Sequence, residues 1–243
     1  MTGSEWLRDR RAGVEQWLDE TGKPSSLSAS RFLLHQKLSD AMRETIHGRV
    51  LEAGAGGSPF GRQFRQLADE WVTLDIQDRY GDIDILADVQ YMPEVESDSF
   101  DVVICTQVLE HLPTPGDALQ EIRRVLRNDG FLILSAPHLS MIHEAPHDYF
   151  RYTRFGLERL CRDAGLIPKR IEATGGIVAF LLHPLSAVLL SLAYPIPGVR
   201  NVALAFNELV LVPLTVLVDR YLGLRGVFPL DYVVVAESAP DSS

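Results

Sequence analysis

The feature that most constrains the fold is a regular alternation of short apolar segments with helix-like segments between residues 49 and 173. The apolar segments are rich in branched side chains and end in turn residues, which is typical of buried strands. Strands that alternate with helices form a mostly parallel sheet covered on both faces, so we predict an α/β three-layer sandwich. The predicted strands are 49–53, 70–75, 83–88, 100–106, 130–136, 169–173 and 232–237, and the predicted helices between them are 60–69, 115–126 and 155–164.

The first predicted strand runs into a glycine-rich turn, VLEAGAGGSPFG, which leads into a helix. Glycines let the backbone approach a ligand closely, and a helix start offers free N–H groups. A dinucleotide fingerprint needs a third glycine where this chain has Pro59, which disfavours a nicotinamide-dependent oxidoreductase. The sequence also lacks the Gly-Lys-Ser/Thr of a P-loop. The turn therefore suits a nucleoside with a small charged tail.

Acidic residues lie at the ends of three successive predicted strands: Glu52, Asp75 and Asp88. Open sheets bind ligands at the carboxyl edge of their strands. There, a carboxylate can accept hydrogen bonds from both ribose hydroxyls or from an adenine amino group, and it can favour a cationic ligand. Any one of these acids is more readily explained as a cap or turn residue, but three at successive strand ends favour a nucleoside site.

The motifs at this edge resemble those of class I S-adenosylmethionine-dependent methyltransferases, in the broad small-molecule group related to the quinone-biosynthesis enzymes. The matching motifs are VLEAGAGGSPFG, VTLD, ADV, SFDVVICTQVLEHLPTP and EIRRVLRNDGFLILSAP. The resemblance covers about residues 45–175 and the final strand. It implies S-adenosyl-L-methionine as the cofactor and a seven-stranded sheet whose last strand is antiparallel. The departure from the pattern is the bulky SPFG, which affects only the packing of the following helix.

The resemblance also implies a set of cofactor-binding residues on the turns after the first four strands. Glu52 and the glycine turn would cradle the methionine part, and the acid after the second strand would hold the ribose. The pair after the third strand would flank the adenine, and the pair after the fourth would line the floor near the sulfonium. The complete set is Glu52, Gly54, Gly56, Asp75, Ile76, Asp88, Val89, Thr106 and Gln107.

The stretch HEAPHDYFRYT, residues 143–153, contains the His-Glu-x-x-His spacing of a zinc peptidase. A zinc site of that kind needs both histidines one turn apart on a helix. Pro146 removes a helical donor and disfavours helical dihedrals at Ala145. No third ligand follows at a recognisable spacing, so we predict no metal site and interpret the match as a coincidence.

We interpret the same stretch as a loop beside the methyl acceptor, over the carboxyl edge of the fifth strand. If the acceptor is a hydroxyl, a general base adds about 10²–10⁴-fold to the rate. His147 with Asp148 beside it, or His111 after the fourth strand, are the catalytic candidates. Alternatively, His111 only caps local structure and the loop residues only form hydrogen bonds. The element PHDYFRYT is similar to one in bacterial methyltransferases of sugar and glycan pathways, which favours O-methylation.

Residues 177–218 are far more apolar than a normal connection between strands. Each half approaches the length of a membrane span, but polar residues and prolines disfavour spanning. They are His183 and Pro184 in the first half and Asn207, Glu208 and Pro213 in the second. Two interpretations stay open. A helical pair could cap the active site or form a homodimer interface, or it could lie in the bilayer interface and bring the site to a lipid-linked acceptor.

The predicted domain organisation has three parts. Two amphipathic N-terminal helices form a cap that we expect to cover the cofactor, and the apolar helices are inserted before the last strand. The parts are an N-terminal helical cap at 1–47, an S-adenosylmethionine-binding domain at 48–176 and 226–239, and an apolar helical insertion at 177–225.

Composition limits the partners and the compartment. A formal charge of −10 argues against nucleic acid, which needs clustered positive charge. The two cysteines, Cys105 and Cys161, lie in apolar patterns and indicate a reducing compartment rather than a disulfide framework. The N-terminus lacks the apolar core of a secretory signal. We therefore expect a cytoplasmic protein, or one that is peripheral at the inner face of the membrane.

The sequence as a whole predicts an S-adenosylmethionine-dependent methyltransferase that acts on an oxygen of a small molecule, sugar or lipid-linked glycan. The alternative is a catalytically silent module of the same fold, which binds the cofactor or serves as a membrane adaptor. Turnover of the cofactor distinguishes the two.

Overall fold

The computed structural model describes residues 3–21, 23–79, 81–143, 145–223 and 226–239. Its helices are α1 (Gly3–Glu20), α2 (Ala29–Thr45), α3 (Pro59–Phe64), α4 (Pro115–Val125), α5 (Arg154–Asp163), α6 (Ile177–Ala193), α7 (Pro197–Phe206) and α8 (Val212–Tyr221). Its strands are β1 (Arg49–Ala53), β2 (Glu70–Asp75), β3 (Ile85–Leu86), β4 (Phe100–Thr106), β5 (Leu126–Pro137), β6 (Leu166–Thr174) and β7 (Asp231–Ser238). A 3₁₀ turn, Leu109–His111, follows β4, and a π-helical turn, Asn207–Leu211, joins α7 to α8.

The chain divides into two compact units. The sheet unit consists of Leu38–Glu172 and Tyr232–Ser243, and the helical unit consists of Met1–Lys37 and Ala173–Asp231. Most of the predicted N-terminal cap and the described residues of the predicted apolar insertion therefore belong to one unit. The predicted three-part organisation stays a prediction.

The seven strands form one sheet in the order β3-β2-β1-β4-β5-β7-β6. The first five strands pair in parallel, and Val50 at the centre lies in register with Trp71 on one side and Val102 on the other. Strand β1 is buried beyond its first residue, because it lies between two neighbours in a sheet covered on both faces. The carboxyl ends of the first four strands therefore meet at one edge.

The last strand is antiparallel. The N–H of Leu230 donates to the carbonyl of Thr174 at 2.9 Å, and the N–H of Ala239 donates to the carbonyl of Gly165 at 3.0 Å. The start of β7 is thus paired with the end of β6, and the end of β7 with the start of β6. The structure confirms the predicted three-layer α/β fold with a mixed seven-stranded sheet.

Four strands differ in length from their prediction: β5, β6 and β7 are longer, and β3 is shorter. Strand β5 begins at Leu126, before the predicted start at residue 130, because an irregularity in the pairing with β4 and a positive φ of 62° at Asp129 let the chain pair on both sides of the Asn-Asp-Gly turn signal. Strand β3 is shorter than predicted. Asp84 accepts hydrogen bonds from the N–H and hydroxyl of Thr73, each at 2.9 Å, which replaces ladder pairing by a side-chain contact.

The helical unit has two hydrophobic clusters of its own, in which apolar residues of the N-terminal segment pack against the apolar helices. The first cluster contains Val14, Leu18, Leu27, Leu190, Ala193, Ala203 and Leu204. The second contains Ala29, Leu33, Ala179, Val212 and Leu230. Burial of apolar area, at about 25 cal/mol per Å², is thus the main source of stability here as in the sheet unit.

The polar residues that interrupt the apolar segment are bonded inside the helical unit. The ring Nδ1 of buried His183 lies 2.8 Å from the hydroxyl of Ser28, and burial lowers the pKa of His183 to about 4. The amide of Asn207 donates to the carbonyl of Ser26 at 2.6 Å. Helix α6 continues through Pro184. These residues therefore fasten the apolar helices to the N-terminal segment.

In the described part of the chain, one continuous helical run, Pro197–Tyr221, is long and apolar enough to cross a membrane by length and composition. Its most apolar window has a mean hydropathy of 1.9, and only 22% of that window is buried. Core helices of soluble proteins are mostly buried, so this run presents more apolar surface than a core helix would.

Candidate active site

The glycine turn after β1 is fastened to the neighbouring strand. The N–H groups of Gly54 and Ala55 both donate to the carbonyl of Leu74, at 2.8 and 3.0 Å. Gly54 has a φ of +73°, and a Cβ there would lie 2.4 Å from Cγ2 of Val108. Gly56 has a φ of +54°, but a Cβ there would meet nothing within 4 Å. Gly54 is thus required by the packing of the turn, whereas Gly56 faces open space.

Asp75 ends β2 and faces this turn. Its Oδ2 accepts a hydrogen bond from the N–H of Gly56 at 2.9 Å, and its Oδ1 accepts one from the N–H of Gln77 at 3.0 Å. An ionised carboxylate offers about four acceptor positions, so both oxygens retain lone pairs for a ligand. The next residue, Ile76, is 67% exposed.

Glu52 lies beneath the turn rather than on it. Its side chain is buried, and its Oε2 accepts hydrogen bonds from the hydroxyl of Ser58 and, at 3.0 Å, from the indole of Trp71. Burial raises the pKa of Glu52 to about 7, against the lowering effect of the two donors. In this position the side chain braces the ends of the turn.

Asp88 and Gln90, which follow β3, form a hydrogen-bonded network at the same edge of the sheet. Oδ1 of Asp88 accepts a hydrogen bond from the N–H of Gln90 at 2.9 Å, and both carboxylate oxygens accept from its side-chain amide. The amide oxygen of Gln90 in turn accepts from Thr114. Val89 between them is buried. Asp88 is therefore held in a fixed orientation at the sheet edge.

Thr106 and Gln107 end β4. Thr106 is in register with Ser135 of β5, and Gln107 adopts a left-handed φ of 55°. The N–H of Gln107 donates to the carbonyl of Ser135 at 3.0 Å, and its side-chain amide donates to the hydroxyl of the same serine at 3.2 Å. A non-glycine residue at positive φ costs about 1 kcal/mol or more, and such residues cluster at functional sites.

The loop from β5 to α5, which we call the histidine loop, carries residues 138–153. Its described residues form turns and irregular backbone rather than a helix. The hydroxyl of Tyr152 donates to the carbonyl of Leu109 at 2.8 Å, and the N–H of Tyr149 donates to the carbonyl of Glu110 at 2.8 Å. The loop is thus fastened to the 3₁₀ turn after β4. Glu144 of the zinc-peptidase spacing lies outside the described residues.

The structure does not bring Asp148 to the ring of His147. Asp148 instead forms a bidentate ion pair with Arg151, at 2.6 and 2.7 Å, and accepts a hydrogen bond from the N–H of His143 at 2.9 Å. Arg151 is the main cause that lowers the pKa of Asp148 to about 2. Asp148 therefore orders the loop.

His147 and His111 are linked through the backbone. The Nδ1 of His111 lies 2.6 Å from the carbonyl oxygen of His147, so this nitrogen carries the hydrogen. The ring of His147 is exposed, and its Nδ1 lies 3.0 Å from the hydroxyl of Tyr149. The two histidines predicted as alternative bases therefore belong to one hydrogen-bonded arrangement.

Residues 51–134, which contain the glycine turn and strands β2 to β4, match the model of a methyltransferase domain. This part of the chain is a class I methyltransferase domain. Its cofactor is S-adenosyl-L-methionine, as the resemblance of the motifs implies.

The chain is also similar to curated relatives and to solved structures. An enzyme of Neisseria meningitidis serogroup A described as a ubiquinone biosynthesis O-methyltransferase is 24% identical, and the match covers 63% of this chain and 77% of the relative. The structure is similar to that of a Burkholderia thailandensis 1,6-didemethyltoxoflavin N1-methyltransferase, with a TM-score of 0.54, 18% identity, and coverage of 98% and 87%.

A third similar structure carries a different activity in its name. The [4+2]-cyclase SpnF is 18% identical, with a TM-score of 0.57, and the match covers 84% of this chain and 80% of the cyclase. At such identities the likeness shows the fold alone. The reaction has to be argued from the site.

The residues at the sheet edge of this methyltransferase fit its cofactor. The N–H of Gly56 donates to the carboxylate of Asp75, so the open space beside Gly56 lies next to a carboxylate that still has free lone pairs. The residue that follows Asp75 is Ile76, whose apolar side chain is exposed. A sugar hydroxyl needs such an acceptor, and a purine needs such an apolar surface.

Sequence reasoning missed a second group of side chains in the methyltransferase. Glu110 is fully buried, and neither of its carboxylate oxygens has a hydrogen-bond partner among the described residues. Nε2 of His111 and Nε2 of His143 lie 3.8 and 3.7 Å from its Oε1. The glutamate raises the pKa of His143. In the sequence, Leu-Glu-His-Leu served only as part of the family pattern. No local signal indicates that His143 lies close to this glutamate in the fold.

Proposed function

We propose that the methyltransferase transfers the methyl group of S-adenosylmethionine to a hydroxyl oxygen of a small molecule, a sugar or a lipid-linked glycan. The observation that carries the proposal is the position of exposed His147, whose loop is fastened to the end of β4 by the bonds of His111 and Tyr149. The O-methyltransferase named among the relatives supports oxygen as the acceptor atom.

The proposed cofactor contacts follow the sheet edge. Asp75 accepts from the ribose hydroxyls, and Asp88 accepts from the adenine amino group. Gly56 leaves room for the methionine part, while Gly54 and Glu52 act through the shape of the turn. Val89 and Ile76 flank the adenosine, and Thr106 and Gln107 lie below the sulfonium.

The proposed reaction is a direct displacement. Bound S-adenosylmethionine would supply an electrophilic methyl group, whose bond to sulfur would break as its bond to the acceptor oxygen forms, with S-adenosylhomocysteine as the leaving group. The proton of the acceptor hydroxyl passes to the imidazole of His147, and Asp148 acts by ordering the loop. Alignment of the two reacting groups supplies most of the rate enhancement, up to about 7–11 kcal/mol in favourable cases.

The apolar helices supply an argument for the class of acceptor. Exposed apolar residues follow one another at spacings of three or four positions, which places them on one side of each helix. We call these the apolar stripes: Leu181, Leu185, Val188 and Leu192 on α6, and Val202, Phe206, Val210, Leu214, Leu217 and Tyr221 on the run from α7 to α8. The polar residues of the same segment, His183 and Asn207, form hydrogen bonds inside the helical unit. We propose that the stripes lie in a bilayer interface and favour a lipid-linked acceptor.

A vesicle flotation assay tests this contact. We expect the wild type to float with liposomes, and the double variant Leu185→Glu/Leu214→Glu to remain at the bottom. Leu67→Glu, which places the same charge on an exposed apolar residue of the sheet unit, is the matched control. A wild type that stays at the bottom but is dimeric by light scattering would instead assign the stripes to a homodimer interface.

Release of S-adenosylhomocysteine tests the reaction. Lipid-linked, sugar and phenolic hydroxyl compounds are screened as acceptors, and the hit is repeated with His147→Gln. We expect the variant to lose about 10²-fold or more in kcat while the affinity for S-adenosylmethionine is retained. Turnover of amine acceptors only, or no turnover with intact cofactor binding, would contradict O-methylation and favour the N-methyltransferase or the silent module.

A further inference from the structure

Glu110 is a buried carboxylate whose two histidine neighbours, at 3.7 and 3.8 Å, lie beyond hydrogen-bond distance. It is 0% exposed, and both of its oxygens lack a hydrogen-bond partner among the described residues. A buried polar group without a hydrogen bond costs free energy, so such a group usually has a ligand or an ion beside it. Its position after β4 places it four residues beyond Thr106, at the carboxyl edge of the sheet.

Two histidines direct their Nε2 atoms at this carboxylate. Their rings lie 4.8 Å apart in a T-shaped arrangement. Nδ1 of His111 lies 2.6 Å from the carbonyl of His147, and Nδ1 of His143 lies 3.3 Å from the carbonyl of Met141. Carbonyl oxygens only accept, so each Nδ1 carries a hydrogen, and in the neutral ring Nε2 then has the lone pair.

This pattern is the one that metal-binding histidines show. A ligating histidine donates its other ring N–H to a carbonyl or carboxylate, which fixes the tautomer and orients the ring. The ligand atoms of Glu110, His111 and His143 all lie within 4.8 Å of one another. Two imidazoles and one carboxylate suit Zn²⁺, Fe²⁺, Co²⁺ or Ni²⁺ rather than Mg²⁺ or Ca²⁺, and three protein ligands leave positions open.

We propose that Glu110, His111 and His143 form a binding site for one divalent transition-metal ion. Metal–ligand distances of about 2.0–2.2 Å need the three side chains to move closer together by rotation about their side-chain bonds. The side chains of His111 and His143 are 18% and 23% exposed, which gives an ion a path from solvent.

The site is distinct from the zinc-peptidase spacing, although both contain His143. That spacing would use Glu144 and His147, whereas here the ring of His147 contacts Tyr149. A role of the metal in the reaction rests on the proposed function: the acceptor hydroxyl would bind at an open coordination position of the ion. The binding of metal itself does not depend on that function.

Metal binding to the untagged full chain tests the proposal directly. Calorimetry with Zn²⁺ and elemental analysis should give one ion per chain. His143→Ala, His111→Ala and Glu110→Gln should each weaken binding by more than about 100-fold, since loss of even an outer partner of a ligand costs roughly 10–100-fold. The visible spectrum of the Co²⁺-loaded chain should change in Glu110→Gln.

Two histidine variants are the matched controls. His47→Ala removes an exposed histidine of the sheet unit, and His147→Ala removes the second histidine of the peptidase spacing. Both should bind Zn²⁺ as the wild type does. Loss of binding in His147→Ala with retention in Glu110→Gln would overturn the assignment, and so would absence of binding to the wild type. Circular dichroism of each variant keeps a folding defect from being mistaken for ligand loss.

Discussion

The turns of the cofactor edge and the histidine loop differ in what holds them in place. At the cofactor edge, backbone N–H groups hold the turn: the N–H of Gly54 donates to the carbonyl of Leu74, and the N–H of Gly56 donates to the carboxylate of Asp75. In the histidine loop, side chains hold the chain in place: Arg151 forms an ion pair with Asp148, and the hydroxyl of Tyr152 donates to the carbonyl of Leu109. Backbone-built sites are determined by short motifs, whereas side-chain-built sites depend on contacts between distant parts of the chain.

A pair of alanine substitutions in the glycine turn should produce the largest effect. Gly54→Ala places a Cβ 2.4 Å from Cγ2 of Val108 at a φ of +73°, and we expect a loss of about 4 kcal/mol in the free energy of unfolding. Gly56→Ala has a similar φ but open space, and should lose about 1 kcal/mol. Denaturant unfolding measures both. Equal losses would mean that the packing of the turn is not what requires Gly54.

The buried Glu52 should give the next largest effect, as a dependence of stability on pH. Its pKa is raised from 4.5 to about 7, so its contribution is fully present below pH 4.5 and is lost as the pH rises through 7. We expect Glu52→Gln, which remains neutral, to gain about 3 kcal/mol relative to the wild type between pH 4.5 and pH 8. Glu70→Gln, an exposed acid on β2, is the control. Parallel stability curves for wild type and Glu52→Gln would contradict this account.

The smallest of the three effects should come from the histidine loop. Arg151→Ala leaves the nearly buried carboxylate of Asp148 without its partner, and we expect a loss of about 2 kcal/mol, less than for a fully buried pair because water reaches the arginine. The KM for the acceptor should rise while the affinity for S-adenosylmethionine is unchanged. Arg159→Ala, which breaks an exposed pair with Asp163, should do neither. A loss of cofactor affinity in Arg151→Ala would show that the two sites are not separate.

The same difference explains how far the sequence predicts the molecule. The bounds of β1, β2 and β4 agree with their prediction, because apolar runs that end in turn residues are local signals. The predicted start of β5 was wrong, because Asn128-Asp129-Gly130 is a local turn signal and pairing with β4 overrides it. The cofactor residues could be proposed from motifs alone.

The arrangement of the histidine loop could not be read from the sequence in the same way. Adjacency in sequence suggests that Asp148 supports His147, but the bidentate geometry of an arginine three residues later competes for the carboxylate. The approach of His143 to Glu110 depends on how the loop folds back on the 3₁₀ turn after β4. No short pattern encodes such a return.

Calorimetry with S-adenosylmethionine on wild type, Asp75→Ala and Asp75→Asn tests most directly whether the carboxyl edge holds the adenosine. Loss of charge-assisted hydrogen bonds to the ribose, worth about 1.5–3 kcal/mol each, predicts roughly 100-fold weaker binding to Asp75→Ala. Asp75→Asn, which keeps an acceptor for the N–H of Gly56, should be intermediate, and Asp69→Ala on the preceding turn should bind as the wild type does. Undiminished affinity in a folded Asp75→Ala variant would contradict the account.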